Sequence, residues 1–255
     1  MQQTKGLSTA KNIYFASDLH LGAPSHQQSL AREKLFVKWL ESIKPSCEAL
    51  YLLGDVFDFW FEYKKVIPKG YVRLLGKLAE FTDQGIPVYL MKGNHDLWLF
   101  DYLEKEINVK IIEQPLIKKI NNKTFYLAHG DGLGPKQYTF KIVRKFFLSN
   151  LCQWCFARLH PNLAISLGEY LSQRSRKSHK SEEDQFMGEE KEYILLHSKK
   201  ILTAQHIDYF IYGHRHLAMV HMLTQKSTYI NLGDWIRGTS YAVFDGKELS
   251  LESFN

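Results

Sequence analysis

Cysteine is scarce in this chain, with 3 residues among 255: Cys47 alone, and Cys152 and Cys155 as one C-x-x-C pair. A disulfide framework needs more, a zinc ribbon needs a second pair, and a thioredoxin-like site needs a strand before the motif. This pair lies in an aromatic stretch of helical pattern, so all three thiols are expected to be reduced and packed in the core. Long apolar runs are missing too, since none approaches the roughly 18 residues of a membrane span. The polar segment from Met1 to Lys11 has no apolar core of the signal-peptide kind. Internal repeats and low-complexity tracts are absent. The expectation is a soluble, cytoplasmic protein whose length fits one domain, with or without an insertion.

What is present is a series of five apolar runs, each ending in residues with lone pairs. Ile13 to Ser17 precedes Asp18 and His20, and Ala49 to Leu53 precedes Gly54-Asp55. Val88 to Met91 precedes Gly93-Asn94-His95-Asp96, Phe125 to Ala128 precedes His129-Gly130-Asp131, and Tyr209 to Tyr212 precedes Gly213-His214-Arg215-His216. Such runs read as buried strands, and ligands of open α/β sheets collect at strand C-termini. Between them, apolar residues at helical spacing predict helices over Ser29 to Ile43, Gly70 to Gln84, Leu97 to Glu106 and Glu192 to Ala204. Asn121-Asn122 predicts a hairpin turn, and the alternating tail, Ala218 to Leu223, Thr228 to Leu232 and Tyr241 to Phe244, predicts antiparallel strands. The region from about 134 to 188 breaks the rhythm with amphipathic helices that set Phe140, Val143, Phe147 and Leu151 on one face. The order favours a single domain over 1–255, a mixed α/β sandwich of two sheets flanked by helices, carrying that helical insertion.

Charge is unevenly spread. Lys136 to Lys180 holds nine Lys or Arg against Glu169, a net +8, which leaves −2 for the rest of a +6 chain. One segment, not the whole molecule, is therefore suited to an anionic partner, unless its cations form only a solvated face.

Asp18, His20, Asp55, Asn94, His129, His214 and His216 offer oxygen and imidazole donors without a thiolate. That set suits Mn2+, Fe2+, Zn2+, Ni2+ or Co2+. Seven donors exceed the need of one ion, whereas two ions sharing a carboxylate would use them all, with Asp55 as the bridge. Asp18 and His20, two residues apart, would point the same way from an extended segment, as would His214 and His216. Asn94 limits the negative charge that an anionic substrate would meet. Asp58 either orients a ligand or caps its own loop, and the aromatic stretch Phe57 to Tyr63 either meets a ligand or packs in the interior.

The five blocks, in content and order, resemble the calcineurin-like metallophosphoesterases: D-x-H, G-D, G-N-H-D, H-G and G-H-x-H. The resemblance implies a four-layer α/β/β/α sandwich. It places one ion on Asp18, His20, Asp55 and His216, and a second on Asp55, Asn94, His129 and His214, with Mn2+ the expected metal. Two such ions would activate a water for in-line attack on phosphorus. His95 would contact substrate or protonate the leaving oxygen, and Asp96 would fix its tautomer. Asn94 and His214 would also touch substrate.

A narrower resemblance covers most of the chain. Ser17-Asp18-Leu19-His20-Leu21-Gly22, Gly54 to Trp60 and the insertion after His129-Gly130-Asp131 look like the UDP-2,3-diacylglucosamine pyrophosphatases of Gram-negative lipid A synthesis. It implies hydrolysis of UDP-2,3-diacylglucosamine to lipid X (2,3-diacylglucosamine 1-phosphate) and UMP, with a lid over the acyl chains. Arg174, Ser175, Lys177 and Ser178 are the expected lid contacts to nucleotide or pyrophosphate. Well-known members carry Arg where this chain has His95, the residue of the broader superfamily. A phosphodiesterase of soluble nucleotides or nucleic acid would use the basic segment to track phosphates. The mixing of its cations with a large apolar face argues against a nucleic-acid partner and for peripheral contact with the inner face of the inner membrane. A non-catalytic scaffold would have lost ligands, and none is missing.

Overall fold

The computed structural model describes residues 11–134, 137–183 and 185–255, with backbone alone at 139 and 177–183. β1 (Asn12–Ala16), β2 (Cys47–Leu53), β3 (Val88–Met91) and β4 (Lys110–Ile112) run parallel. β10 (Ser240–Phe244) and β11 (Leu249–Ser253) complete this sheet on the β1 side, antiparallel, in the order β11-β10-β1-β2-β3-β4. The second sheet has the order β5-β6-β7-β9-β8, from β5 (Leu116–Ile120), β6 (Lys123–Ala128), β7 (Tyr209–Tyr212), β8 (Met219–Thr224) and β9 (Ser227–Asn231).

The two-residue side-chain period of a strand sorts the core into layers. Phe15, Tyr51 and Leu53 of the first sheet meet Phe125, Leu127 and Ile211 of the second. Their neighbours Tyr14, Leu50 and Leu52 face outward onto Phe36, Trp39 and Leu40 of α1 (His26–Ile43) and Leu74 and Leu78 of α2 (Val72–Asp83). On the far side, Tyr126, Phe210 and Tyr212 take Ile194 and Leu195 of α7 (Tyr193–Leu202). The result is the α/β/β/α sandwich. Between β6 and α7 lie α4 (Tyr138–Phe147), α5 (Asn150–Phe156) and α6 (Pro161–Glu183).

Three local expectations need correction. The helix read from Leu97 starts only at Tyr102, as α3 (Tyr102–Ile107), because Leu97 and Trp98 are drawn into an aromatic cluster with Phe61 and Phe156. β9 is antiparallel to β8 but parallel to β7, since it slots between them; alternation reveals a strand but not its neighbour. Cys155 is exposed and Cys152 half-buried, so of the three free thiols Cys47 alone is core. One face of the short α5 is covered, and Cys155 is off it.

Candidate metal centre

The five ligand loops leave the C-terminal ends of β1, β2, β3, β6 and β7, the parallel strands at the centre of both sheets. They are not extended. Asp18, His20, Asp55, His214 and His216 all have left-handed backbones, with φ of 55°, 43°, 52°, 67° and 51°. The expectation that Asp18 and His20 project together from an extended segment therefore fails; tight loops aim them instead. Such conformations cost about 1–3 kcal/mol each in non-glycine residues. Five together rival the roughly 5–15 kcal/mol net stability of a domain, so the two-sheet core must impose them. Backbone hydrogen bonds do so locally, from Asp18 N to Gly54 O (3.1 Å), His20 N to Asp55 O (2.9 Å) and Gly213 N to His129 O (3.0 Å). Gly93 is glycine because a Cβ there would overlap the Asp55 carboxylate.

The side chains converge in two groups. In the first, His216 Nε2 is 3.2 Å from Asp18 Oδ1 and 3.1 Å from His20 Nε2. In the second, Asp55, His129 and His214 place a ligand atom each within 4.8 Å of one another, and Asn94 Oδ1 is 3.1 Å from His129 Nε2. Asp55 Oδ2 stands between the groups, 3.6 Å from His20 Nε2 and 3.3 Å from His129 Nε2. Its other oxygen accepts the His95 amide at 2.8 Å.

These donors fit divalent cations. Asp18 Oδ1 is buried without a hydrogen bond, and the two imidazole nitrogens beside it can share at most one proton between them. Three lone-pair atoms facing one point are what a cation completes. Burial holds His20 below its ordinary value despite Asp58, and burial together with the charge of His129 pushes His214 down to about 3, leaving both neutral. Burial alone would raise Asp55, but His129, His95 and His20 outweigh it and hold the carboxylate well below the usual range. His129, opposed by burial, is held well above the imidazole range by the same Asp55. Asp96 is pushed up to about 7 by burial and the charge of Asp55. A cation beside Asp55 displaces the His129 proton and favours loss of the Asp96 proton. Mn2+ affinity is thus expected to rise by about tenfold or more per pH unit between about pH 6 and pH 8, with proton release. Calorimetry in buffers of different ionisation enthalpy checks this; a flat profile counts against it.

His95 and Asp96 do not pair as expected. Asp96 turns Oδ1 to Gly93 N (2.7 Å) and Oδ2 to Val56 N (2.9 Å), bracing two ligand loops against each other. His95 Nδ1 instead meets Ser172 Oγ of α6 at 2.7 Å and the Asp58 carbonyl at 3.2 Å. Asp58 is buried, and its Oδ1 lies 3.2 Å from His20 Nδ1, where a carboxylate can orient that imidazole. Of the residues expected to bind the nucleotide, Ser175 is half-buried, Arg174 is exposed, and the Lys177 and Ser178 side chains lie outside the described residues.

Sequence reasoning missed several braces. Arg32 donates to the carbonyls of Leu19, His20 and Ala23, holding the first loop. Its signal was legible: a charge on the apolar face of α1, between Ser29 and Phe36. Asp234 Oδ2 sits 3.6 Å from His216 Nδ1. Gln114 accepts His129 N at 2.8 Å and donates to Asp131, which pairs with Arg144 of α4 at 2.9 Å. Arg176 of α6 pairs with Asp58. No local pattern marks these last two.

A cavity of about 570 Å3 opens beside the cluster. Phe140, Val143 and Phe147 of α4, Phe156 of α5, and Leu167 and Leu171 of α6 form much of its wall, with Phe59, Trp60 and Trp98 beneath; Asn94 and His95 stand at its polar edge. The aromatic stretch is split: Phe59 lines the cavity, Phe57 and Phe61 are buried in the core clusters, and Trp60 is a core residue that also borders the cavity.

Fold and site together define a metal-dependent phosphoesterase: residues 11–218 match the family model of the calcineurin-like phosphoesterases, and the chain belongs to that family. Its members use divalent metal ions. A UDP-2,3-diacylglucosamine hydrolase of Porphyromonas gingivalis is 36% identical over 258 residues, covering 94% of this chain and 97% of its own length. One from Histophilus somni is 28% identical over 230 residues, covering 88% of this chain and 92% of its own. Among solved structures, a phosphoesterase from E. coli, Yfce, aligns at 15% identity over 96% of this chain and 100% of its own, with a TM-score of 0.42.

Proposed function

We propose that this chain hydrolyses the pyrophosphate of UDP-2,3-diacylglucosamine, releasing UMP and 2,3-diacylglucosamine 1-phosphate. The carrying observation is the juxtaposition of a large apolar cavity with a compact oxygen and imidazole cluster, joined at Asn94 and His95. A substrate with acyl chains at one end and a diphosphate in the middle matches both halves. The names of the relatives support the same substrate.

In this reading Asp18, His20, Asp55 and His216 hold one ion, and Asp55, Asn94, His129 and His214 the other. Mn2+ suits the donor set. Bound there, two divalent ions supply Lewis acidity at the phosphoryl oxygens and a nucleophile at neutral pH. The chain supplies the rest. Asn94 adds a neutral oxygen, so the dianionic diphosphate is not repelled. The Asp58 carbonyl calls for a proton on His95 Nδ1. Nε2 of His95 is therefore a lone pair in the neutral ring and a proton donor to the leaving phosphate oxygen in the imidazolium. The helices α4, α5 and α6 act as a lid that excludes water from the acyl chains.

The same stretch is proposed to rest on an anionic membrane surface. No helix among the described residues is long and apolar enough to cross a bilayer. Ile142, Phe146, Trp154 and Leu163 are exposed beside Lys141, Lys145 and Arg158, a mixture suited to the headgroup boundary. Flotation with vesicles containing anionic lipid is expected to carry the protein upward, and more weakly at high salt; protein that stays at the bottom in low salt excludes this contact.

The function is tested by Mn2+-dependent release of UMP from the lipid nucleotide, run beside bis(p-nitrophenyl) phosphate. UMP release supports the reading. Hydrolysis of the soluble diester alone moves the substrate elsewhere within the family.

A further inference from the structure

We propose that Arg176 is a positioning residue for the His20 side of the metal centre, acting through Asp58; this deepens the metal-centre reading above and rests on it. Ser172 and Arg176 are one helical turn apart on α6, so they share a face, and that face meets the cluster twice. Ser172 reaches His95 Nδ1. Arg176 brings Nε to 3.0 Å from Asp58 Oδ1 and a terminal nitrogen to 3.2 Å from Oδ2.

Asp58 Oδ1 is also the atom that faces His20 Nδ1 at 3.2 Å. A carboxylate there calls for the Nδ1–H tautomer and turns the Nε2 lone pair toward Asp18, Asp55 and His216, at 3.8, 3.6 and 3.1 Å. Ligand imidazoles are oriented in this way by partners behind them. Here the partner itself needs holding, because Asp58 sits on the loop after β2. One terminal nitrogen of the guanidinium donates to Oδ2, and Nε lies beside Oδ1 as an ion-pair contact without a hydrogen bond, so one directed bond and the adjacent positive charge hold the carboxylate in place behind His20. Residues 118 positions apart thus form a chain from helix α6 through Asp58 to the ligand face of His20.

A bland alternative is that Arg176 merely ties α6 to the core. Tyr63 separates the two readings. Its hydroxyl donates to the Leu159 carbonyl at 3.4 Å, tying the chain just before α6 to the core without touching a ligand imidazole or its partner.

The test is Mn2+ binding to metal-free protein, followed by electron paramagnetic resonance of the free ion, for the wild type, Arg176→Met, Arg176→Lys, Asp58→Asn, the Asp58→Asn/Arg176→Met double variant and Tyr63→Phe. The wild type is expected to take up two ions. Arg176→Met should weaken one site by about 10–100-fold, the range for lost outer partners of metal ligands. Arg176→Lys, with a single ammonium in place of the planar fork, should fall between. The double variant should bind no more weakly than Asp58→Asn alone, because the arginine acts only through that carboxylate. Tyr63→Phe, which removes only a tie between the inserted helices and the core, should leave both sites within about threefold of the wild type.

Two wild-type sites in Arg176→Met overturn the proposal, as do losses that multiply in the double variant or a Tyr63→Phe loss equal to that of Arg176→Met. If Arg176→Met does not fold, unchanged affinity of both sites in Arg176→Lys counts against the proposal equally. A wild-type protein that binds no Mn2+ removes the metal-centre reading itself, a result distinct from the loss of Arg176's role alone.

Discussion

Asp55→Asn is expected to lower phosphodiester hydrolysis by at least about ten-thousandfold, on the order of 5.5 kcal/mol of transition-state stabilisation. The size follows from the position of one atom. Asp55 Oδ2 lies within 3.6 Å of His20 Nε2 and 3.3 Å of His129 Nε2, so it serves both halves of the cluster. Its charge also holds His129 high and is the negative centre to which a cation is drawn. Asparagine keeps the volume and the acceptor for the His95 amide but places an uncharged group, or an NH2, between the ions. Both sites lose affinity together, and a unit that acts together loses nearly all of its activity with one member. The check is turnover of bis(p-nitrophenyl) phosphate with saturating Mn2+, alongside metal stoichiometry. Activity within tenfold of the wild type would remove Asp55 as the bridge.

Leu167→Asp is expected to cut turnover of the lipid nucleotide, relative to bis(p-nitrophenyl) phosphate, by about 50-fold, since an unpaired polar group against an acyl chain costs roughly 1–3 kcal/mol. Leu167 lines the cavity from α6 and is 40% exposed, so the substituted carboxylate is solvated in the free protein and the fold tolerates it. The penalty arises when acyl chains enter, and it should appear in KM more than in kcat. A small soluble diester has no chain to place there. Equal loss on both substrates would mean that the cavity holds no acyl group, and the substrate proposal would fail while the metal centre stood.

These predictions draw on parts of the molecule that differed in how openly they were written. The strand-end residues were readable because each comes at the end of an apolar run, a pattern contained within about ten positions. The unbroken apolar runs of β1 and β2 likewise announced buried strands, and the break in rhythm after Asp131 announced inserted helices. Asp96 was read from adjacency: it follows His95, so it was expected to serve it. The loop turns it the other way, onto Gly93 N and Val56 N, and Ser172 of α6 takes its place at His95. Arg174, Ser175, Arg176, Lys177 and Ser178 read alike in the sequence, because nothing local refers the phase of their helix to the core.

By itself, then, the sequence determined the identity of the donors, their order along the chain, the strands that carry them and the presence of a basic, apolar helical insertion. Each of these depends on short-range patterns of polarity. Only the tertiary structure decided which candidate donors come together, that five of their backbones are held left-handed, that β9 lies beside β7, and which face of α6 meets the cluster. Those depend on distance in space between residues far apart in the chain, and on a core rigid enough to hold strained loops in register.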